Sequence, residues 1–220
     1  MMLYPEAAWA ITPAAFFGAM GAALLIYILA WKNGIRPIRI ILAGVAVSAF
    51  LGAGISALLI FYSDRVSNAL MWMVGGLSAR SWHHVDIIYP YTILGLAFAF
   101  FSARHLNILQ LGDEIAKGLG LRVELTRILL TAVAALLAAS AVSVVGLLGF
   151  VGLIVPHAAR LLIGSDYRFL LPASALLGIA TLTFSDTFAR TAFAPVELPA
   201  GIIMAVLGAP FFLFLLRREI

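Results

Sequence analysis

Cysteine is absent from the sequence and charge is scarce. Without a thiol there is no disulfide framework, no thiolate metal ligand and no cysteine nucleophile. Charged residues make up 11% of the 220 positions, where a soluble domain carries roughly a quarter, and hydrophobic residues make up 64%, where about 45 to 50% is usual. The chain is therefore an integral membrane protein. No G-x-x-x-x-G-K-S/T phosphate loop occurs, so ATP is not hydrolysed by that route. No G-x-S-x-G elbow and no H-E-x-x-H helix occurs either, which leaves His157 without the nucleophile or metal partner that an intramembrane hydrolase needs. Acids within the apolar runs are too few for an obvious proton relay, Asp186 being the main candidate. A conduit driven by a partner is more economical than an enzyme, and nothing in the sequence asks for a cofactor. At about 20 residues per span there is room for about six or seven crossings and almost no soluble domain. The net charge of +4 is carried by short links between apolar runs, which reads as membrane topology and not as nucleic-acid binding.

What stands out is the stretch from Gly146 to Arg160, GLLGFVGLIVPHAAR. Gly146, Gly149 and Gly152 recur at three-residue spacing and are followed by Pro156, His157 and Arg160. In a helix interior glycine costs up to about 1 kcal/mol and proline about 3. The segment is therefore expected to break, bend or enter the bilayer as a short helix. Irregular backbone at that depth survives only where protein or a water-filled cavity covers it. Any one of these glycines can be read as close helix packing; together with a proline and a His/Arg pair they point to a moving or pathway-lining part of a multi-helix protein.

The opening residues, MMLYPEAA, lack the basic region of a signal peptide, so the start is expected to be uncleaved and extracytoplasmic. A first span, Trp9 to Trp31, leads to Lys32, Arg36 and Arg39, with Gly34 and Pro37 in a tight turn. The second, Ile40 to Tyr62, places Gly44, Ser48, Gly52 and Ser56 on one helix face beside a row of Ala49, Ala53 and Ala57. That stripe suits either close approach of another helix or the lining of a path. Residues 63–86 form an extracytoplasmic loop with a short interfacial helix and carry Asp64, Arg65, Arg80, His83, His84 and Asp86. Adjacent histidines do not easily face one metal, so plain interfacial solvation is preferred there over a metal site. A third span, Ile87 to Ala103, returns to Arg104 and His105.

Residues 106–124, LNILQLGDEIAKGLGLRVE, are too polar to cross. Asp113 and Glu114 open a short helix, Lys117 lies near its end, and Gly118 and Gly120 stop it. On its residues alone this segment is either an interfacial connector or a contact for another protein. A fourth span, Leu125 to Val145, runs into the broken stretch. Gly164, Ser165 and Asp166 then make a turn, with Asp166 as N-cap of a fifth span from Tyr167 to Arg190. Within it Asp186 and Arg190 stand four apart in the acid-first order that favours pairing. An outer loop, residues 191–200, holds Glu197 between two prolines, and a last span from Gly201 to Leu216 ends in Arg217 and Arg218. Lys32, Arg36, Arg39, Arg104, Lys117, Arg122, Arg127, Arg168, Arg217 and Arg218 fall on one side of this topology with Arg160 near it, and only Arg65, Arg80 and Arg190 on the other. The positive-inside rule makes the first side cytoplasmic and puts the C-terminus there. The fold expected is all-α, a single polytopic helix bundle over residues 1–220 with about six full spans and one short broken helix.

The run GLLGFVGLIVPHAARLLIGSDYRFLLPASALLG, followed by SDTFART, VELPAGI and LGAPFFLFLLRR, resembles the C-terminal part of the FecCD family of ABC-importer permeases. RIILAGVAVSA and the W-x-x-GGLS-x-x-SW stretch from Trp72 to Trp82 are similar to it as well. The resemblance implies an ABC type II importer permease-like fold and a bacterial cytoplasmic-membrane protein that carries iron-siderophores, haem or cobalamin-like chelates. It further implies a homodimer bound to two copies of a separate ATPase and visited by an extracytoplasmic substrate-binding protein. Under it, Asp113, Glu114, Ala116, Lys117, Gly118, Leu119 and Gly120 become the coupling helix that docks on the ATPase. Arg190 matches an outer arginine that meets an acidic residue of the binding protein, Glu197 joins it as a docking residue, and the stripe on the second span lines the path. Family members carry more spans than this sequence, which begins where the fourth would, so about three N-terminal helices are expected to be absent. The rival reading is a non-transporting membrane remnant or scaffold that acts only by helix association.

Overall fold

The computed structural model describes residues 10–31, 37–63, 66–192 and 194–219. Glu6, the first link with Lys32, Gly34 and Arg36, and the charges Asp64 and Arg65 lie outside the described residues. Ten helices follow one another, and no strand occurs among the described residues. They are α1 (Ile11–Ala30), α2 (Pro37–Phe61), α3 (Val66–Val74), α4 (Trp82–Phe101), α5 (Ala103–Leu109), α6 (Asp113–Gly118), α7 (Val123–Val145), α8 (Val151–Ile163), α9 (Tyr167–Thr191) and α10 (Ala200–Glu219). Five of them, α1, α2, α4, α7 and α9, are long and apolar enough to cross a membrane, while α8 and the apolar part of α10 are shorter. A helix, α10, stands where the last span was expected, but its apolar part, Ala200–Leu215, falls short of that length, so five helices and not six meet it among the described residues; the expected broken helix is present as α8.

Helix α7 holds α1 on one side and α4 on another, α9 carries α8 and α10, and α4 also touches α9. Many of the residues that disappear at these contacts are small: Ala139, Ser140 and Ser143 of α7, Ala159 of α8, Ser185 and Ala189 of α9 and Ala200 of α10, beside the larger Val155, Leu170 and Met204. In lipid, apolar side chains gain nothing by leaving one hydrocarbon for another, so helices associate where small residues let backbones approach. Phe17, Leu24, Phe50, Phe98, Leu176 and Leu213 accordingly point outward. Three buried serines find partners: Ser143 Oγ donates to Ser140 O at 2.8 Å, Ser140 Oγ to Leu137 O at 2.9 Å, and Ser185 Oγ reaches Met204 Sδ at 3.1 Å, whereas Tyr27 OH and Ser174 Oγ are buried without one among the described residues.

The break after α7 is a turn that glycine makes possible. Gly146 has φ +77°, and a Cβ there would collide with Trp72 O at the end of α3. Gly75, at φ +71°, would collide with Leu147 O, and Gly201 with Val74 O. Three helix ends thus cross backbone against backbone, and they are tied by Gly76 N–H to Val145 O (2.9 Å), Leu147 N–H to Trp72 O (3.4 Å) and Gly201 N–H to Gly75 O (3.1 Å). Helix α8 then starts from Phe150, itself left-handed at φ +64°, and runs for 13 residues, or about 20 Å, too short to span a hydrocarbon core of about 30 Å.

Two expectations are corrected. The third span starts at Trp82 and not Ile87, so His83, His84 and Asp86 belong to the first turns of α4 and not to the connecting loop. The cause is a cap: His84 Nδ1 accepts from Ser81 N–H at 3.3 Å and lies 3.1 Å from Ser81 Oγ, which closes the first turn before the apolar run begins. The three spaced glycines are also not alike. Only Gly146 needs its missing side chain; a Cβ on Gly149 or Gly152 would meet nothing within 4 Å.

Gly201→Ala is expected to destabilise the bundle by about 2 kcal/mol or more, because the new methyl meets backbone that cannot yield. Gly149→Ala should be close to neutral. Thermal unfolding of the detergent-purified variants measures this, and equal melting temperatures for the two would refute the crossing.

Candidate functional site

The charged residues divide between the ends of the bundle. One end collects Arg39 at the start of α2, Arg104 in α5, Lys117 in α6, Arg122 and Arg127 at the start of α7, Arg160 in the last turn of α8, Arg168 at the start of α9 and Arg217 at the end of α10. Arg80 and Arg190 belong to the opposite end.

At the basic end, α6 is a six-residue helix set between two glycines in the left-handed region, Gly112 at φ +97° and Gly120 at φ +82°. Asp113 and Glu114 lie in its first turn and Lys117 in its last, which suits the helix dipole. Gly118 closes the helix, Leu119 is its C-cap, and Leu121 N–H returns to Ala116 O at 3.0 Å. Ala116 is fully buried, whereas Ile115 and Leu119, four residues apart, are 55% and 62% exposed. Asp113 Oδ1 takes a 2.6 Å salt bridge from Arg127 Nη2 of α7, so the helix is moored to the bundle by its first residue. The short helix expected from Asp113 to Gly118 is therefore present, with an apolar face left open.

Behind it, α5 reaches across to the turn between α8 and α9. Asn107 Nδ2 donates to Asp166 Oδ1 at 2.6 Å, Tyr167 N–H donates to Asn107 Oδ1 at 2.9 Å, and Gln110 Nε2 donates to Ser165 O at 3.3 Å. Asp166 is the N-cap of α9, as expected, and accepts from Arg168 N–H at 2.9 Å. That backbone N–H, aided by the Asn107 amide, holds the Asp166 carboxyl below the usual carboxylate range.

At the opposite end, Arg190 Nε donates to Asp186 Oδ2 at 2.8 Å within α9, the pair expected from their spacing. Asp186 is 14% exposed against 39% for Arg190, and its Oδ1 is buried with no partner among the described residues. The loop beyond folds back, Leu198 N–H meeting Ala189 O at 3.4 Å, so Glu197 lies at the same end as Arg190. Glu197 is exposed and lines a cavity of about 440 Å³ together with Thr12, Trp72, Arg80, His84 and Ser143.

The other expected residues are not drawn into either cluster. On α2, Ser48 and Ser56 are exposed, a Cβ on Gly44 or Gly52 would meet nothing within 4 Å, and Ser56 Oγ bonds its own helix at Gly52 O (2.9 Å). The stripe therefore faces away from the rest of this chain. Pro156 lies inside α8, His157 is half-buried and Arg160 is exposed near the basic end.

Sequence reasoning missed Asn107, Gln110, Gly75, Gly201 and Phe150. Asn107 had a signal, an amide in an otherwise apolar turn shortly before Gly112. Gly201 had one too, a glycine in the first turn of a helix, next to buried Ala200.

Compared with known proteins, the sequence matches the FecCD transport family over residues 1–218. It is 43% identical to the iron(3+)-hydroxamate import system permease protein FhuG of Bacillus subtilis, over 93% of this chain and 61% of that protein. It is 47% identical to the cobalamin import system permease protein BtuC of Halobacterium salinarum, over 96% of this chain and 57% of that protein. It is 40% identical to the Fe(3+)-citrate import system permease protein YfmE of Bacillus subtilis, over 100% of this chain and 66% of that protein. The chain thus spans less than two thirds of the length of each of these relatives. A solved structure described as a metal-chelate type ABC transporter in an inward-facing conformation superposes with a TM-score of 0.84 at 27% identity, covering 95% of this chain and 71% of that one. Its match from residue 1 to 218, and helices long and apolar enough to cross a bilayer several times, make this chain a multi-pass membrane protein that belongs to the FecCD transport family.

Proposed function

We propose that the chain is the membrane-spanning permease part of an ATP-driven importer for metal chelates of the iron-siderophore, haem or cobalamin kind. The observation that carries this is α6. A polar six-residue helix, moored by Asp113 to Arg127 and presenting Ile115 and Leu119 to solvent, has the build of a docking element for another protein. The lack of a phosphate loop supports ATP hydrolysis on a separate ATPase subunit. The assembly proposed is a homodimer in the cytoplasmic membrane with two ATPase subunits and an extracytoplasmic binding protein. The basic residues around α6 support a cytoplasmic position for that end and for the C-terminus. Arg190, paired with Asp186, supports docking of an acidic group of the binding protein, with Glu197 at the same end. The open stripe of Gly44, Ser48, Gly52 and Ser56 supports a place for α2 on the path or against a second copy. The broken segment from Gly146 to Arg160 supports a part that shifts when the path alternates. ATP binding draws the two ATPases together, α6 moves with them, and the dimer opens alternately to its two sides.

Three results test this. A Cβ at position 118 would meet nothing within 4 Å, so Gly118→Leu should fold normally yet clash in a partner's groove. Uptake in proteoliposomes should fall at least tenfold at unchanged protein level; normal uptake would exclude α6 as the ATPase contact. Because the chain has no native cysteine, Glu114→Cys gives a single thiol. It should react with an impermeant maleimide only after the cells are opened, and labelling of intact cells would invert the topology. Arg190→Glu should weaken association of the binding protein by about tenfold, roughly 1.4 kcal/mol, read by surface plasmon resonance on the reconstituted complex, and an unchanged Kd would remove Arg190 from the contact.

A further inference from the structure

We propose that Asn107 and Asp166 form the joint through which displacement of α6 reaches helices α8 and α9. The inference rests on the reading of α6 as the ATPase contact and says how its movement is passed on.

In the chain, α6 is followed after a short link by α7 and preceded by α5 and α4. Helices α8 and α9 are remote in sequence, yet they carry the broken segment and the Asp186–Arg190 pair. Apart from the long covalent path through α7, they can feel α6, the foot of the basic end, through lateral contacts. Apolar side chains packed across a helix interface can slide past one another, whereas hydrogen bonds resist displacement in distance and in angle. The contact between α5 and the turn at 164–167 is of the second sort. Asn107 uses both ends of its amide, donating to Asp166 Oδ1 at 2.6 Å and accepting from Tyr167 N–H at 2.9 Å, and Gln110 adds a bond to Ser165 O at 3.3 Å. The bond to Asp166 is charge-assisted and so among the stronger kinds. Tyr167 N–H belongs to the first turn of α9, whose amides have no partner within the helix. Asn107 therefore caps a helix to which it does not belong.

The two moorings of the foot divide the work. Asp113 binds Arg127 and so ties α6 to the start of α7. Asn107 and Gln110, ahead of Gly112, tie α5 to the start of α9 and, through Gly164, whose N–H bonds Arg160 O, to the end of α8. A push on α6 is thereby shared between α7 and the α8–α9 corner. Asp166 is exposed and Asn107 half-buried, so hydrogen bonds between them add little to stability, and the pair can be altered without unfolding the bundle.

The test exchanges the partners. Asn107→Asp sets two carboxylates face to face and breaks the joint. Adding Asp166→Asn restores a carboxylate–amide pair with its polarity reversed and keeps a good N-cap for Arg168 N–H. Each variant is purified as the complete transporter and reconstituted, and uptake and ATP hydrolysis are measured together, with Gly118→Leu as the reference. The expected result is that Asn107→Asp keeps its ATPase bound and hydrolysing but loses at least fivefold in substrate moved per ATP, and that the double variant recovers most of it. If Asn107→Asp moves substrate at the wild-type ratio while Gly118→Leu does not, the joint is wrong and α6 remains the contact. If Asn107→Asp lowers the melting temperature or the amount of complex but not the ratio, the pair is merely structural and the inference fails. Wild-type uptake by Gly118→Leu would instead overturn the reading of α6, and the joint with it. Asn107→Ala, which introduces no charge, should show the same loss of coupling as Asn107→Asp, and a wild-type ratio there would also refute the joint.

Discussion

No water reaches the backbone inside a bilayer, so every N–H and C=O there must find a partner within the protein. A chain that stays helical meets this requirement without effort; a chain that stops does not. This one stops where α3, α7 and α10 meet, and it resolves the problem by bringing three backbones into contact. Gly76 N–H reaches Val145 O, Leu147 N–H reaches Trp72 O, and Gly201 N–H reaches Gly75 O. Contacts so close leave no room for a Cβ, so Gly75, Gly146 and Gly201 follow from the hydrogen bonds and not the reverse. The shortness of α8 is a further consequence. The chain emerges from the crossing already committed to a turn, and Phe150 takes a left-handed backbone that costs an L-residue about 1 to 2 kcal/mol. Phe150 lies close against Gly208 of α10, where any added side chain would collide with it.

The two ends of the bundle are therefore made of different materials. The crossing is backbone on backbone, with no side chain able to yield. The basic end is held by side chains: Arg127 on Asp113, Asn107 on Asp166, Gln110 on Ser165 O. Side-chain bonds of this kind fix the distance and angle between the helices they join, while the crossing brings the backbones themselves into contact. Helix spacing is thus set by backbone contact at one end and by polar side-chain bonds at the other.

Local features were legible in the sequence because their partners are a few residues away. The Asp186–Arg190 pair follows from four-residue spacing on a helix, the Asp166 cap from its place after Gly164 and Ser165, and α6 from acids ahead of Lys117 and the glycines at 118 and 120 that end it. The start of α4 was misjudged because His83, His84 and Asp86 read as loop polarity. At a helix entry the same polarity belongs to the first turns, and the Ser81–His84 cap recruits them. The partners in the glycine crossing and in the Asn107–Asp166 joint were not legible, although Asn107 and Gly201 each stood out locally. Each contact joins positions separated by tens of residues, and no periodicity within one helix encodes which distant backbone will pass beside it. The glycines at 149 and 152 share the spacing of Gly146 but not its close contact, because spacing does not say which position faces another segment of this chain.

The pattern of burial carries the argument one step further. Many of the side chains that vanish from the surface are alanines and serines, with Leu170, Met204 and a few valines among them, while many phenylalanines and leucines of the long helices stay outside. In water such an inversion would unfold the chain, since nothing would offset the conformational entropy lost on folding. In a bilayer it is consistent, because lipid receives the large side chains and small ones set the helix spacing. Helix α2 takes this furthest. It leans on α1, buries Val47, and leaves a face of glycine, serine and alanine open along its length. A face of that make is unhelpful against lipid tails, which fill a smooth groove poorly, but well suited to another backbone or to a wet passage. The feature that contributes least to holding this chain together is thus the one whose chemistry is best explained by what lies outside it.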